Sequence, residues 1–152
     1  MAEPSIVQTG QYLKDLSFEN YAASAAAAGA PGMELNMNVE VKPLTQPAVR
    51  AGAVSGDYEV TLQLRATARP GAEADENARP LFVVEIAYAG RYQMGNIPED
   101  QVEPFLAIEA PRLLFPFVRQ IAADAVMQGG LPPLLLAPMD FAQIYQQNRT
   151  GN

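Results

Sequence analysis

Along three stretches of this chain apolar and polar residues alternate strictly, and nothing else in the sequence narrows its fold as much. In the first, Met33, Leu35, Met37, Val39 and Val41 interleave with Glu34, Asn36, Asn38, Glu40 and Lys42. In the second, Tyr58, Val60, Leu62, Leu64, Ala66 and Ala68 interleave with Asp57, Glu59, Thr61, Gln63, Arg65, Thr67 and Arg69. In the third, Phe82, Val84, Ile86 and Tyr88 lie on one side, with Val83, Glu85, Ala87 and Ala89 on the other. Successive side chains of a strand point to opposite faces, so a period of two over such lengths predicts half-buried antiparallel strands. A shorter pattern precedes them, with Leu16 and Phe18 set against Asp15, Ser17 and Glu19. The links from Pro43 to Gly56 and from Pro70 to Pro80 are rich in turn-forming residues and read as solvated turns. The alanine-rich segment 22–30 reads as a flexible crossover loop ended by Pro31 and Gly32.

After Met94-Gly95-Asn96 the period becomes helical. Glu99 to Ile108 suits a short helix, because Pro98 opens it and acids crowd its first turn, where the helix dipole favours them. A longer helix is expected from about Pro111 to Gln128, with Leu114, Phe117, Val118, Ile121 and Ala125 as its apolar stripe and a kink at Pro116. Gly129 and Gly130 supply its stop. By position, Gly90 and Gly95 also read as turn glycines. Leu131 to Pro138 holds Pro132, Pro133 and Pro138 and reads as an apolar extended loop. Asp140 with Gln143 forms a capping box, and Met139 with Ile144 a hydrophobic staple, at the start of a last helix.

The plan is one domain over 1–152, with flexible ends at 1–10 and 149–152. Its class is α+β, a four-stranded antiparallel sheet with C-terminal helices on one face. As a single copy it is incomplete. A 13-residue strand, 57–69, spans about 44 Å at ~3.4 Å per residue, whereas the 18 residues 111–128 cover about 27 Å as helix. The sheet outruns its cover. The surplus apolar surface is expected to be buried against copies of the same chain or to hold an apolar ligand.

Several functions are excluded by what is missing. The chain has no His and no Cys, so it has neither a Ser-His-Asp triad nor thiolate chemistry, and no disulfide. It has no phosphate-binding glycine motif. Its net charge of −7 opposes nucleic-acid binding, which relies on basic patches. Glu99, Asp100 and Glu103 form the densest acidic cluster, and a charged first turn explains them. An enzyme is not expected, nor a cofactor or metal. The N-terminus lacks the basic and apolar regions of a secretory signal, and no stretch is apolar enough to span a bilayer, so a cytoplasmic location is expected.

Several segments, in order and at matching spacing, resemble the SecB family of bacterial export chaperones. They are Tyr12-Leu13-Lys14-Asp15-Leu16-Ser17-Phe18-Glu19, Asp57-Tyr58-Glu59-Val60-Thr61-Leu62-Gln63-Leu64, and Phe82-Val83-Val84-Glu85-Ile86 with Gly90 and Gly95-Asn96-Ile97. Leu113-Leu114-Phe115-Pro116-Phe117-Val118-Arg119 and Leu134-Leu135-Leu136-Ala137-Pro138-Met139-Asp140-Phe141 complete the set. The resemblance implies an ATP-independent chaperone, a homotetramer built as a dimer of dimers. Such a protein holds unfolded preproteins and passes them to SecA, the motor of the Sec translocon. By the same resemblance, Asp15, Glu19, Val83 and Glu85 match the SecA-binding positions. Leu131, Leu134, Leu136, Phe141 and Tyr145 are the implied client-binding residues, and Val84, Ile86, Tyr88, Phe117 and Ile121 are expected at the oligomer interface. A related chaperone of another client, for example an antitoxin, is the alternative.

Overall fold

In a computed structural model, residues 3–22, 32–71 and 79–150 are described. The alternating stretches form β2 (Gly32–Pro43), β4 (Ala53–Arg69) and β5 (Phe82–Pro98), and the shorter pattern lies inside β1 (Ser5–Asn20). All pair antiparallel in the order β1-β5-β4-β2. The alanine-rich segment lies outside the described residues, except for Ala22 at its start.

The sheet has five strands rather than four. The fifth, β3 (Ala48–Arg50), pairs with the start of β4 inside a segment expected to be a plain turn. The hairpin turns at Ala51 and Gly52, both with positive φ (51° and 76°). Two-residue hairpin turns favour that geometry because it matches strand twist. Alanine rarely adopts it, so the usual Asn-Gly signal is missing from the sequence.

Two bulges explain why β1 is legible only at its end. Its register against β5 shifts between Gln8 and Gly10 and again between Leu13 and Asp15. Ile6, Gln11, Leu13, Leu16 and Phe18 therefore share one face although they do not alternate. The strand reaches back to Ser5, into the end expected to be flexible.

Strand β5 likewise runs through Gly90 and Gly95, which are not turn glycines. Gly90 is needed for space: a Cβ there would lie 2.7 Å from the Tyr92 hydroxyl. The Tyr92 ring is 1% exposed and meets Phe105 edge-on at 5.6 Å. Burial pushes its hydroxyl pKa up to about 12.

From Glu99 to Gln128 the chain is helical without a break. α1 (Glu99–Pro104) leads through a π-helical turn, Phe105–Glu109, into α2 (Ala110–Gln128). α2 lies on the β4–β5 face that carries Val60, Leu62, Leu64, Val84, Ile86 and Tyr88, and together they form the core. Its buried side runs through Ala110, Leu114, Val118, Ala122 and Val126 at i+4 spacing, with Pro111, Phe115 and Ala123 buried beside them. The expected stripe was turned by part of a helical turn. Leu114 and Val118 are buried, but Ile121 and Ala125 are half-buried and Phe117 is 45% exposed. Ala110 and Ala122 on the inner side are fully buried, while the bulkier Phe117 stands at the flank. Pro116 occupies an exposed position within α2.

Gly130, at φ 80°, ends α2. Residues 131–140 then run without regular structure to α3 (Phe141–Thr150). Asp140 caps α3 as expected: its Oδ1 accepts the Gln143 amide N–H at 3.1 Å. Asp140→Ala is expected to destabilise the fold by about 1 kcal/mol, read as a lower urea midpoint at constant protomer concentration.

Candidate functional site

The two faces of the sheet differ in kind. One is packed under the helices. The other is open and polar, and direct cross-strand partners lay it out in rows. Glu19 (β1), Val83 (β5), Thr67 (β4) and Glu34 (β2) make one row. Ser17, Glu85, Arg65 and Asn36 make the next, and Asp15, Ala87, Gln63 and Asn38 the third.

All four implied SecA-binding positions thus lie on the open face, within three neighbouring rows of the two adjacent strands β1 and β5. Asp15 and Glu19 are exposed, and Val83 and Glu85 half-buried. Glu19 accepts a hydrogen bond from the Tyr21 hydroxyl at 2.5 Å, which holds that hydroxyl above its ordinary pKa. Glu85 lies 3.1 Å from Arg65, its direct partner on β4. A shallow trough of about 300 Å³ opens between these rows, lined by Asp15, Asn38, Gln63, Arg65, Glu85 and Ala87 among others.

Further along the open face the character changes. The Tyr12 hydroxyl and the Lys14 ammonium, the latter at 2.8 Å, both bind the Glu59 carboxylate. These two hydrogen bonds hold Glu59 below the usual carboxylate range. Ala89, the β5 partner of Tyr12, is fully buried. This end of the face is tied to itself, whereas Asp15 and Glu19 at the other end are exposed.

The helix-bearing face is incompletely covered. Leu13, directly opposite Tyr88 in the sheet, is exposed. Tyr88 stacks on Phe117 with ring centroids 5.9 Å apart and planes at 8°, and Leu113 stands one helical turn before Phe117. Leu13, Phe117 and Leu113 therefore form an exposed apolar strip along the β1–α2 flank. On the opposite edge, Met33, Leu35 and Val41 of β2 are exposed apolar residues on the same face. Leu135, in the segment before α3, is 76% exposed.

Several implied residues lie in the core. Val84, Ile86 and Tyr88 pack within the protomer under α2. Of the five interface positions, Phe117 and the half-buried Ile121 remain accessible. Leu136 and Phe141 are also core residues, Phe141 packing edge-on against Phe115 at 5.9 Å. Leu131, Leu134 and Tyr145 are half-buried. The exposed β2 residues were legible only as an alternating pattern, because β2 becomes an outer strand only through the order of the sheet.

These features define a protein organised for binding by surfaces: a polar, acid-bearing open face and an apolar-rimmed helical face. Among the described residues no helix is long and apolar enough to cross a membrane. The chain matches the SecB family, described as preprotein translocase subunit SecB, over residues 1–152. It is 43% identical over 146 residues to the protein-export protein SecB of Zymomonas mobilis, covering 95% of this chain and 80% of that one. It is 40% identical over 151 residues to that of Granulibacter bethesdensis, covering 97% and 84%. Among solved structures, a SecB-like chaperone of Mycobacterium tuberculosis, in complex with a peptide from an antitoxin, superposes with a TM-score of 0.63. That match covers 88% of this chain and 90% of the other at 13% identity, a likeness of fold. The chain belongs to the SecB family, and its role is that of a chaperone in protein export.

Proposed function

We propose that the protein is an ATP-independent holdase of the cytoplasm. It works as a homotetramer, binds unfolded preproteins in an apolar groove beside α3 and delivers them to SecA through its open face. The observation that carries this reading is the pairing of surfaces: exposed apolar residues rim the helical face, while the opposite face is polar and acidic. Burial of apolar area is non-directional and contributes about 25 cal/mol per Å². Several shallow apolar contacts can therefore hold many unfolded sequences weakly at each point and firmly in sum. Folded proteins hide such segments and are ignored.

In this reading Leu131, Leu134 and Tyr145 line the client groove, with Leu136 and Phe141 anchoring it from beneath and Leu135 at its rim. Asp15, Glu19, Val83 and Glu85 receive SecA. Service to a different client such as an antitoxin is not favoured, because the relatives at about 40% identity are protein-export proteins and the likeness to the antitoxin-peptide complex is one of fold.

The test is the refolding of a slow-folding precursor diluted from denaturant with no nucleotide present. Stoichiometric protein should suppress refolding for as long as it stays bound. Equal refolding yields with and without it would overturn the proposal.

A further inference from the structure

The docking carboxylates are not equivalent, because one of them already holds a cation of its own chain. Arg65 stands directly opposite Glu85 in the sheet, and its Nη1 lies 3.1 Å from Glu85 Oε1. Both side chains are about half exposed, at 58% and 45%. Arg65 also walls the trough that contains Asp15. Its guanidinium thus occupies the place where a basic side chain of a docking partner would meet Glu85.

We propose that Arg65 is a built-in competitor for that partner cation and so sets the strength and charge selectivity of docking at the open face. The inference rests on the reading of this face as the SecA-docking surface. The occupant it commits to is a Lys- or Arg-bearing segment, chosen by charge complementarity to Asp15, Glu19 and Glu85.

Two effects act together. An exposed, solvent-screened ion pair is weak, so an incoming cation can exchange for Arg65 at Glu85. The displaced guanidinium nevertheless stays within a Debye length of the newcomer, about 10 Å at 0.1 M salt, and repels it. Arg65 therefore lowers the affinity for any basic partner and makes docking depend on contacts beyond Glu85 alone. Charges at the edge of an interface act in this way on association rate and salt dependence.

The experiment is calorimetric titration of SecA into the intact protein and its R65Q, R65K, E85Q and R65Q/E85Q variants, at several salt concentrations. R65Q should bind about 3- to 10-fold more tightly at 0.1 M salt, with a steeper salt dependence. R65K should behave like the parent, because it keeps the charge. The gain from R65Q should shrink when Glu85 is already Gln. If the parent binds SecA and R65Q binds equally or more weakly, Arg65 is not a competitor and the proposal falls while docking stands. If neither the parent nor any variant binds, the docking reading falls and the role of Arg65 falls with it. Native mass spectrometry and thermal melts of each variant verify that assembly and folding are unchanged.

Discussion

Phe117→Asp is expected to break the proposed tetramer into smaller species while the protomer stays folded. Phe117 is nearly half exposed in the single chain, stacked on Tyr88 and lined up with Leu113 and Leu13. That strip is the clearest apolar surface on the α2 flank that the protomer leaves uncovered. In a two-fold interface each residue counts twice, so one substitution places two carboxylates in the buried surface. An unpaired buried charge costs several kcal/mol, enough to outweigh the loss of one apolar contact many times over. Inside the protomer the same substitution removes only the ring stack on Tyr88, worth about 0.5–1.5 kcal/mol beyond its buried area. Native mass spectrometry at micromolar concentration reads the assembly, and far-ultraviolet circular dichroism reads the fold. A tetramer that survives the substitution would place the interface elsewhere.

Leu62→Ala is expected to destabilise the protomer by about 2–5 kcal/mol, the usual cost of emptying a filled core position. Leu62 is fully buried at the centre of β4, beneath α2 and opposite Tyr88. Domains of this kind have only about 5–15 kcal/mol in all, so most of the margin is at stake. Its neighbour Gln63 points to the open face and lines the trough, where its side-chain oxygen accepts a hydrogen bond from Asn38 at 2.9 Å. Gln63→Ala should stay within about 0.5 kcal/mol of the parent, as surface substitutions usually do. Adjacent residues with opposite responses test the register itself, since a slip by one residue would exchange them. Urea unfolding at fixed protomer concentration measures both, because assembly is linked to stability.

The legible parts of the fold were those where local pattern and tertiary role coincide. β4 alternates along its length because one face packs under α2 and the other is the polar face of the sheet, on which Thr61 and Thr67 are nonetheless buried, and Asp140 caps α3 because a side-chain carboxylate satisfies a helix-end amide nearby in sequence. β1 was legible only in its last residues, since each bulge resets the parity by which alternation is recognised. β3 was missed because Ala51-Gly52 turns the chain without the residues that usually mark such a turn. The stripe of α2 was misplaced because Phe117 and Leu114 look alike as apolar residues. Only their burial in the folded chain, with Leu114 fully covered and Phe117 nearly half exposed, shows which side faces inward.

The candidate surfaces divide in the same way. The segments that resemble the family point to Asp15, Glu19, Val83 and Glu85, and the sheet register places them together. The ion pair of Glu85 with Arg65 joins residues on different strands, and no spacing announces it.

By itself, then, the sequence determined the antiparallel strands, the late switch to helix, the absence of histidine and cysteine chemistry, and the family. These depend on residue type and short-range periodicity, which a linear chain displays directly. The tertiary structure alone decided which edge each strand occupies, which apolar residues are core and which remain outside, and which acids already hold a cation. Those properties arise from contacts between residues far apart in sequence, and only the order of the sheet and the placement of α2 across it bring such residues into reach.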